Sequence, residues 1–231
     1  MEIITVIPTY NEAGNIKRVV SEILALPLKI EVLVVDDLSP DGTYSIVEEM
    51  AKADGRVHLL LRKERRGRGW AGIDGFKKAL EMGAKYVVEM DGDGSHSPRF
   101  IPALFAALPG NGMVIGSRYV AGGKDESRTA VRRLISGFAR RYLSFALGVD
   151  IKDPTSGFRL FDRDTLENIL PDLSARDPFI VAQVIYFAAK QGVKTAEVPI
   201  DFLPRTAGES KLKPLTLIKY LFRVWMLKFT K

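Results

Sequence analysis

The sequence predicts an α/β fold, a mostly parallel sheet flanked by helices, with amphipathic helices added in its second half. Three observations carry this. Short runs rich in Val, Ile and Leu alternate with segments of helical period through the first half. Those runs lack the strict polar alternation of a half-exposed sheet, as strands covered on both faces require. Several of them stop at acidic residues beside Gly, Pro or Ser, so the turns that follow fall at one edge of the sheet.

Taken in order, "EIITVIP" (2–8) reads as a strand and "NEAGNIKRVVSEILAL" (11–26) as a helix with Ile16, Val19, Val20, Ile23 and Leu24 on one face. "KIEVLVVDD" (29–37) is a second strand, before a helix over 42–53. "RVHLLLR" (56–62) and "AKYVVEM" (84–90) are the third and fourth strands, with helices expected over 70–82 and 99–107, and "GMVIGS" (112–117) is a fifth strand. This half has the right-handed pattern of a nucleotide-binding α/β unit. Beyond Arg118 the regularity breaks. Residues 119–130 carry the glycines and charges of a mobile loop, 131–148 form a helix, and 153–162 a turn and short strand. A buried helix is expected over 179–192, a strand over 193–205 and an amphipathic helix over 214–231.

At 231 residues the chain suits one large α/β domain, or one domain with an appendage. It is 46% hydrophobic and 27% charged, which excludes a disordered chain. The absence of cysteine excludes disulfides and thiolate metal sites. Met1 leads directly into a strand-like run, so no signal peptide is expected, and no apolar stretch reaches the roughly 18 residues of a spanning helix. A net charge of +6 suits an anionic partner: nucleic acid, a phosphorylated substrate or an acidic membrane surface. A nucleic-acid partner is disfavoured, because no basic face is interleaved with aromatics.

Ligands of open parallel sheets bind beyond the carboxyl ends of the strands. The first strand ends in Pro8, Thr9, Tyr10, Asn11 and Glu12, the second in Asp36 and Asp37, and the fourth in "MDGDGSH" with Asp91 and Asp93. Any one of these acids is an ordinary cap or turn residue. Three on one rim point to a site. Asp91 and Asp93 alternate with Gly92 and Gly94, and paired carboxylates at a tight turn suit a hard cation such as Mg²⁺ or Mn²⁺ together with phosphate. Arg118, Arg132, Arg133, Arg205 and Lys211 supply positive charge for a diphosphate. No P-loop appears, and "GRGWAG" (67–72) does not follow a strand in the dinucleotide pattern. His58 reads as structural, and His96 as a capping or supporting residue beside the acidic turn.

The ordered set "VIPTYNE", "VVDDLSPDGT", "MDGDGSH", "IGSRYV", "RRLIS", "DPTSGFR" and "RTAGESKLK" covers nearly the whole chain. Together these stretches resemble the inverting glycosyltransferases of family 2 with a GT-A fold, and among them the dolichyl-phosphate mannose synthases. The resemblance implies a nucleotide-binding half over 1–118 and an acceptor half over 119–212, which form one domain over 1–212, followed by an amphipathic helix over 213–231. It implies that Pro8, Tyr10, Glu12, Val35 and Asp37 hold the nucleoside of GDP-mannose. Asp91, Gly92, Asp93, Arg118, Arg205 and Lys211 then line the diphosphate, with Asp91, Asp93 and Ser95 at the metal. Arg118, Arg132 and Ser136 face the acceptor phosphate, and Asp91, Asp93, Arg118 and Arg132 carry the catalysis. The expected acceptor is dolichyl or another polyprenyl phosphate. The expected location is the cytoplasmic face of a membrane, held peripherally, with room for a membrane-embedded partner subunit. Two rivals stand beside this reading: the same fold using UDP-glucose or another sugar nucleotide, and a non-catalytic membrane-associated binding subunit.

Overall fold

The computed structural model describes residues 2–64, 66–125, 130–204, 214–227 and 229, with the side chains of 130–136 and 214–219 outside the description. Its frame follows from the apolar runs. In strand β2 (Ile30–Asp36), Val32 and Val34 join one core while Leu33 and Val35 join the other. The same split divides Ile3 and Ile7 from Ile4 and Val6 in β1 (Ile3–Thr9). A two-residue period that sends apolar side chains to both faces requires cover on both.

Helices α1 (Ile16–Leu24), α2 (Thr43–Ala53) and α4 (Ile101–Ala106) cover one face. The other is covered by α3 (Arg68–Glu81), α5 (Ala130–Leu147), α6 (Arg163–Ile169), α7 (Ile180–Lys190) and the end of α8 (Pro214–Leu227).

Among the described residues the main sheet has the order β3-β2-β1-β4-β7-β5-β8, with β3 at Val57–Leu61, β4 at Tyr86–Glu89, β5 at Met113–Ser117, β7 at Arg159–Asp162 and β8 at Thr195–Pro199. The four strands from β3 to β4 are parallel, as the sequence predicts. The neighbour of β4 is a departure from a simple α/β run: β7 enters antiparallel between β4 and β5. Leu160 pairs with Val88 on one side and Val114 on the other. Strands from both parts of the chain therefore share one sheet.

Other differences have local causes. The first helix starts at Ile16 rather than near 11, because Asn11 adopts a left-handed φ of 63° and Asn15 N–H bonds to Glu12 O at 2.9 Å. The segment expected as one strand over 193–205 breaks after Pro199. Its continuation, β9 (Asp201–Phe202), pairs with β6 (Lys124–Asp125) in a second small sheet, so the first part of the expected loop over 119–130 is anchored. Helix α6 was not foreseen; it is only seven residues long and starts where the Asp162 carboxylate accepts the Thr165 N–H at 2.8 Å.

Candidate active site

The turns after β1 and β2 are stitched together around Asp36. Thr9 Oγ1 donates to Asp36 Oδ2 (2.7 Å), Ser39 Oγ donates to the same oxygen (2.7 Å), and Ser39 N–H donates to Oδ1 (2.7 Å). Ser39 Oγ also accepts the Asn11 N–H (3.0 Å), and Thr43 Oγ1 accepts that of Glu12 (2.9 Å). This network fixes the strand ends that carry the expected nucleoside residues. Pro8 and Val35 are register partners on adjacent strands. The Val35 side chain is fully buried in the core and its backbone lies between β1 and β3, away from the expected nucleoside contact, whereas Tyr10 is 43% exposed.

Asp37 is held differently. Its Oδ1 pairs with Arg62 Nη1, and its Oδ2 accepts the Gly67 N–H at 2.6 Å. Burial pushes its carboxyl above the ordinary aspartate value, against the opposing pull of the Gly67 N–H and Arg62. Arg62 is shared with Asp74 at 2.9 Å.

The acidic turn after β4 lies between two other segments. A Cβ at Gly92 would stand 3.0 Å from Thr9 Cγ2 and 3.8 Å from Glu12 Cγ, so the turn presses on the end of β1. On its other side, a Cβ at Gly157 would stand 3.7 Å from Asp91 Oδ1, so "DPTSG" packs against Asp91. Ser95 donates its N–H (3.0 Å) and hydroxyl (2.6 Å) to Asp93 Oδ1, which orients that carboxylate. The ring of His96 stacks on Phe158 and meets Phe202 edge-on. Its Nδ1 accepts the Asp91 N–H at 3.2 Å, which assigns the ring hydrogen to Nε2 in the neutral form. Burial holds the imidazole below its ordinary pKa.

Asp91, Asp93 and Ser95 are all oxygen donors on one short turn, a set suited in chemistry to Mg²⁺ or Mn²⁺. Among the described residues no three His, Cys, Asp or Glu side chains gather to hold a metal ion, so the fit is one of donor chemistry only. Asp91 Oδ1 also meets Arg68 Nη2 at 3.2 Å, and Arg68 Nη1 meets Glu89 Oε1 at 2.9 Å.

Arg118 sits at the end of β5 and is 6% exposed. It makes a fork with Asp153, Nε to Oδ2 and Nη2 to Oδ1, both at 2.7 Å, and Nη2 also donates to Thr155 Oγ1 at 2.6 Å. Burial alone would raise the Asp153 carboxyl, but the Arg118 guanidinium outweighs it and holds the group below the ordinary range. Of the other expected site residues, Arg205 and Lys211 lie outside the described residues, as do the side chains of Arg132 and Ser136, whose backbone is in α5.

Sequence reasoning gave no roles to Arg62, Arg68, Glu89, Asp153 and Arg159. The clearest signal for them was a charged residue inside an apolar strand: Glu89 in β4 lies opposite Arg159 in β7, and both are fully buried. Arg159 Nη2 meets Glu89 Oε2 at 2.5 Å.

The family model described as "Glycosyl transferase family 2" matches residues 4–170. The chain belongs to glycosyl transferase family 2. Within that family, it is 38% identical over 213 residues to the undecaprenyl-phosphate mannosyltransferase of Micrococcus luteus, covering 92% of this chain and 88% of the relative. It is 39% identical over 226 residues to the polyprenol monophosphomannose synthase of Mycolicibacterium smegmatis, covering 96% and 84%. The dolichol-phosphate mannosyltransferase of Pyrococcus furiosus is 38% identical over 232 residues, covering 98% of this chain but 64% of that relative. Among solved structures, glucosyl-3-phosphoglycerate synthase from Mycobacterium tuberculosis, in complex with Mn²⁺, UDP-glucose and phosphoglyceric acid, superposes with a TM-score of 0.69 at 20% identity, covering 98% of this chain and 79% of that one. That likeness establishes the GT-A fold. This family 2 member is a glycosyltransferase with a mostly parallel central sheet, and among its described residues no helix is long and apolar enough to cross a membrane.

Proposed function

We propose that the enzyme transfers mannose from GDP-mannose to a polyprenyl monophosphate such as dolichyl phosphate, with inversion at the anomeric carbon. The observation that carries this reading is the position of the Asp91–Asp93 turn, between the β1 end at Thr9 and Glu12 and the "DPTSG" turn that holds Arg118 through Asp153. A donor diphosphate at that turn would have its nucleoside toward Asp37 and its sugar toward Arg118. The names of three relatives, each 38–39% identical over most of this chain, support mannose and a polyprenyl phosphate as substrates.

The chemistry follows from the groups available. A lipid monophosphate is ionised near neutral pH, so its oxygen attacks the anomeric carbon without a strong general base. The bond from that carbon to the donor diphosphate breaks, and GDP leaves with the electron pair. One displacement inverts the centre. Asp91 and Asp93, with Ser95 steadying Asp93, would hold Mg²⁺ or Mn²⁺, which when bound offsets the charge developing on the leaving diphosphate. Arg118, fixed by Asp153, would orient the acceptor phosphate together with Arg132 and Ser136, with Arg205 and Lys211 as further phosphate-binding residues.

A lipid acceptor also accounts for the apolar residues left outside the core. Phe138 and Phe145 on α5 are 73% and 74% exposed, and Phe222, Trp225, Met226 and Phe229 at the chain's end are 41–76% exposed. Helices α5 and α8 pack together, with Tyr142 Oη donating to Leu221 O at 3.1 Å. Aromatics beside Arg141 and Arg223 make an interfacial surface for an anionic membrane. The enzyme then works as a peripheral protein on the cytoplasmic leaflet.

The test is transfer of labelled mannose from GDP-mannose to dolichyl phosphate in the presence of Mn²⁺ or Mg²⁺, beside UDP-glucose as donor. A mannosyl lipid from GDP-mannose alone supports the reading. Product from UDP-glucose alone replaces the donor, and no product from any sugar nucleotide leaves only a binding role.

A further inference from the structure

Among the described residues β3 and β8 end the main sheet, and the two ends are finished differently. Strand β8 carries Glu197, which accepts the N–H groups of Lys152 (2.7 Å) and Asp153 (2.9 Å), and it closes on Pro199, which has no N–H to offer. A charge, a proline and a covering loop are the devices that keep a sheet edge from pairing with another chain. Strand β3, "VHLLL", holds no Pro, Asp, Glu, Lys or Arg, and among the described residues only β2 is bonded to it.

The ladder assigns the outer side of β3. Val32 N–H donates to Arg56 O at 2.9 Å and Arg62 N–H to Asp36 O at 2.8 Å, so Arg56, His58, Leu60 and Arg62 turn their main-chain groups toward β2. Val57, Leu59 and Leu61 turn theirs away from it. Asp54 O takes the Val57 N–H at 3.0 Å, while the Leu59 and Leu61 main chain faces a groove between α2 and α3. Leu59 and Leu61 are half-buried, with Ala51 of α2 and Met82 at the end of α3 beside them. Exposed Glu48, Lys52 and Lys78 border this apolar strip, with Glu48 and Lys52 one turn apart on α2.

We infer that β3 is the docking edge for a second copy of this chain, antiparallel to the first across a twofold axis beside Leu59, so that one sheet runs through both copies. In that register the two Leu59 residues exchange both main-chain bonds, and Leu61 N–H of each copy reaches Val57 O of the other. The bordering charges are what select a copy of the same chain. A twofold axis sets the two α2 helices antiparallel on the same side of the joined sheet, which turns the acid of each toward the base of the other. A strand of five residues is short for a stable interface, so α2 and α3 must supply the rest of the contact.

The experiment is sedimentation equilibrium of the full chain over a dilution series, without lipid. The wild type is expected to dimerise with a Kd of roughly micromolar order. Leu59→Pro deletes an outward N–H and leaves the ladder to β2 in place, so it should raise that Kd about tenfold or more with unchanged circular dichroism. Glu48→Lys and Lys52→Glu should each weaken the dimer about tenfold when alone, and an equal mixture of the two should recover it, because one chain then offers only bases and the other only acids. That recovery tests the interface even if Leu59→Pro fails to fold. A wild type that stays monomeric up to about 100 μM overturns the inference. So does a dimer that both charge reversals leave intact, or a mixture of the folded reversed chains that is no more dimeric than either alone. A dimer dispersed by Phe138→Ser and Phe145→Ser but not by Leu59→Pro places the interface on α5 and overturns it equally.

Discussion

Arg118 and Arg68 each meet an aspartate on the same rim, but the two assemblies are built to different ends. Arg118 forms a closed fork with Asp153, and that aspartate is fully buried. Arg68 reaches Asp91 through a single nitrogen at 3.2 Å, and the Asp91 side chain is 34% exposed. A buried bidentate pair exchanges two desolvation costs for fixed geometry. The Arg68–Asp91 contact is a longer, part-exposed one, and Asp91 also lies 3.8 Å from His96 Nδ1. The first assembly is scaffold that buries its charges, and the second joins the start of α3 to the turn that carries the proposed metal carboxylates.

Breaking the closed pair should cost the most. Asp153→Asn leaves the Arg118 charge buried with a weaker partner, and we expect a loss of about 3–5 kcal/mol in urea unfolding. The pH dependence has a definite sign. A carboxyl held below its ordinary value in the folded protein stabilises at pH values above the unfolded aspartate value, and that contribution is lost as pH falls through the folded value. Wild-type stability should therefore fall as the pH drops below about 4, and the Asp153→Asn curve should be flatter there.

On the working side, Asp93→Asn should keep the fold and lower transfer about a hundredfold, since its carboxylate is expected to hold the cation that offsets leaving-group charge rather than to hold the core. An active Asp93→Asn enzyme would mean that the metal carboxylates are wrongly assigned. Asp37→Asn should come next, weakening GDP binding by roughly tenfold in calorimetry. A weakening of similar size or larger, read in partition rather than in ligand binding, is expected at the apolar surface: replacing Phe138 and Phe145 with Ser should release the protein from anionic liposomes, each change lowering the partition free energy by about 1.5–3 kcal/mol at most. At the far end of the scale, Arg18→Ala breaks the exposed pair with Glu22 and should alter stability by no more than about 0.5 kcal/mol.

The same contrast explains what could be read from the sequence. Strands β1 to β5 were legible because each is a continuous apolar run, and burial on both faces leaves that mark whatever the neighbours are. The place of β7 was not legible, because pairing of Arg159 with Glu89 joins residues 70 apart in the chain and no local pattern encodes it. Asp91 and Asp93 stood out through their spacing and their glycines. Arg68 did not, because an arginine near a helix start looks like surface charge until β4 and the "DPTSG" turn close around it. Ser95 was legible as a member of the acidic turn, but the fold shows that its hydroxyl is given to Asp93.

The measurement that bears most directly on the central claim is a crystal soaked with GDP-mannose and Mn²⁺, with data collected at the manganese edge. The account predicts an anomalous peak within bonding distance of the Asp91 and Asp93 carboxylates, with the base lying toward Asp37. A bound nucleotide whose metal lies elsewhere, or whose base lies away from Asp37, would contradict it.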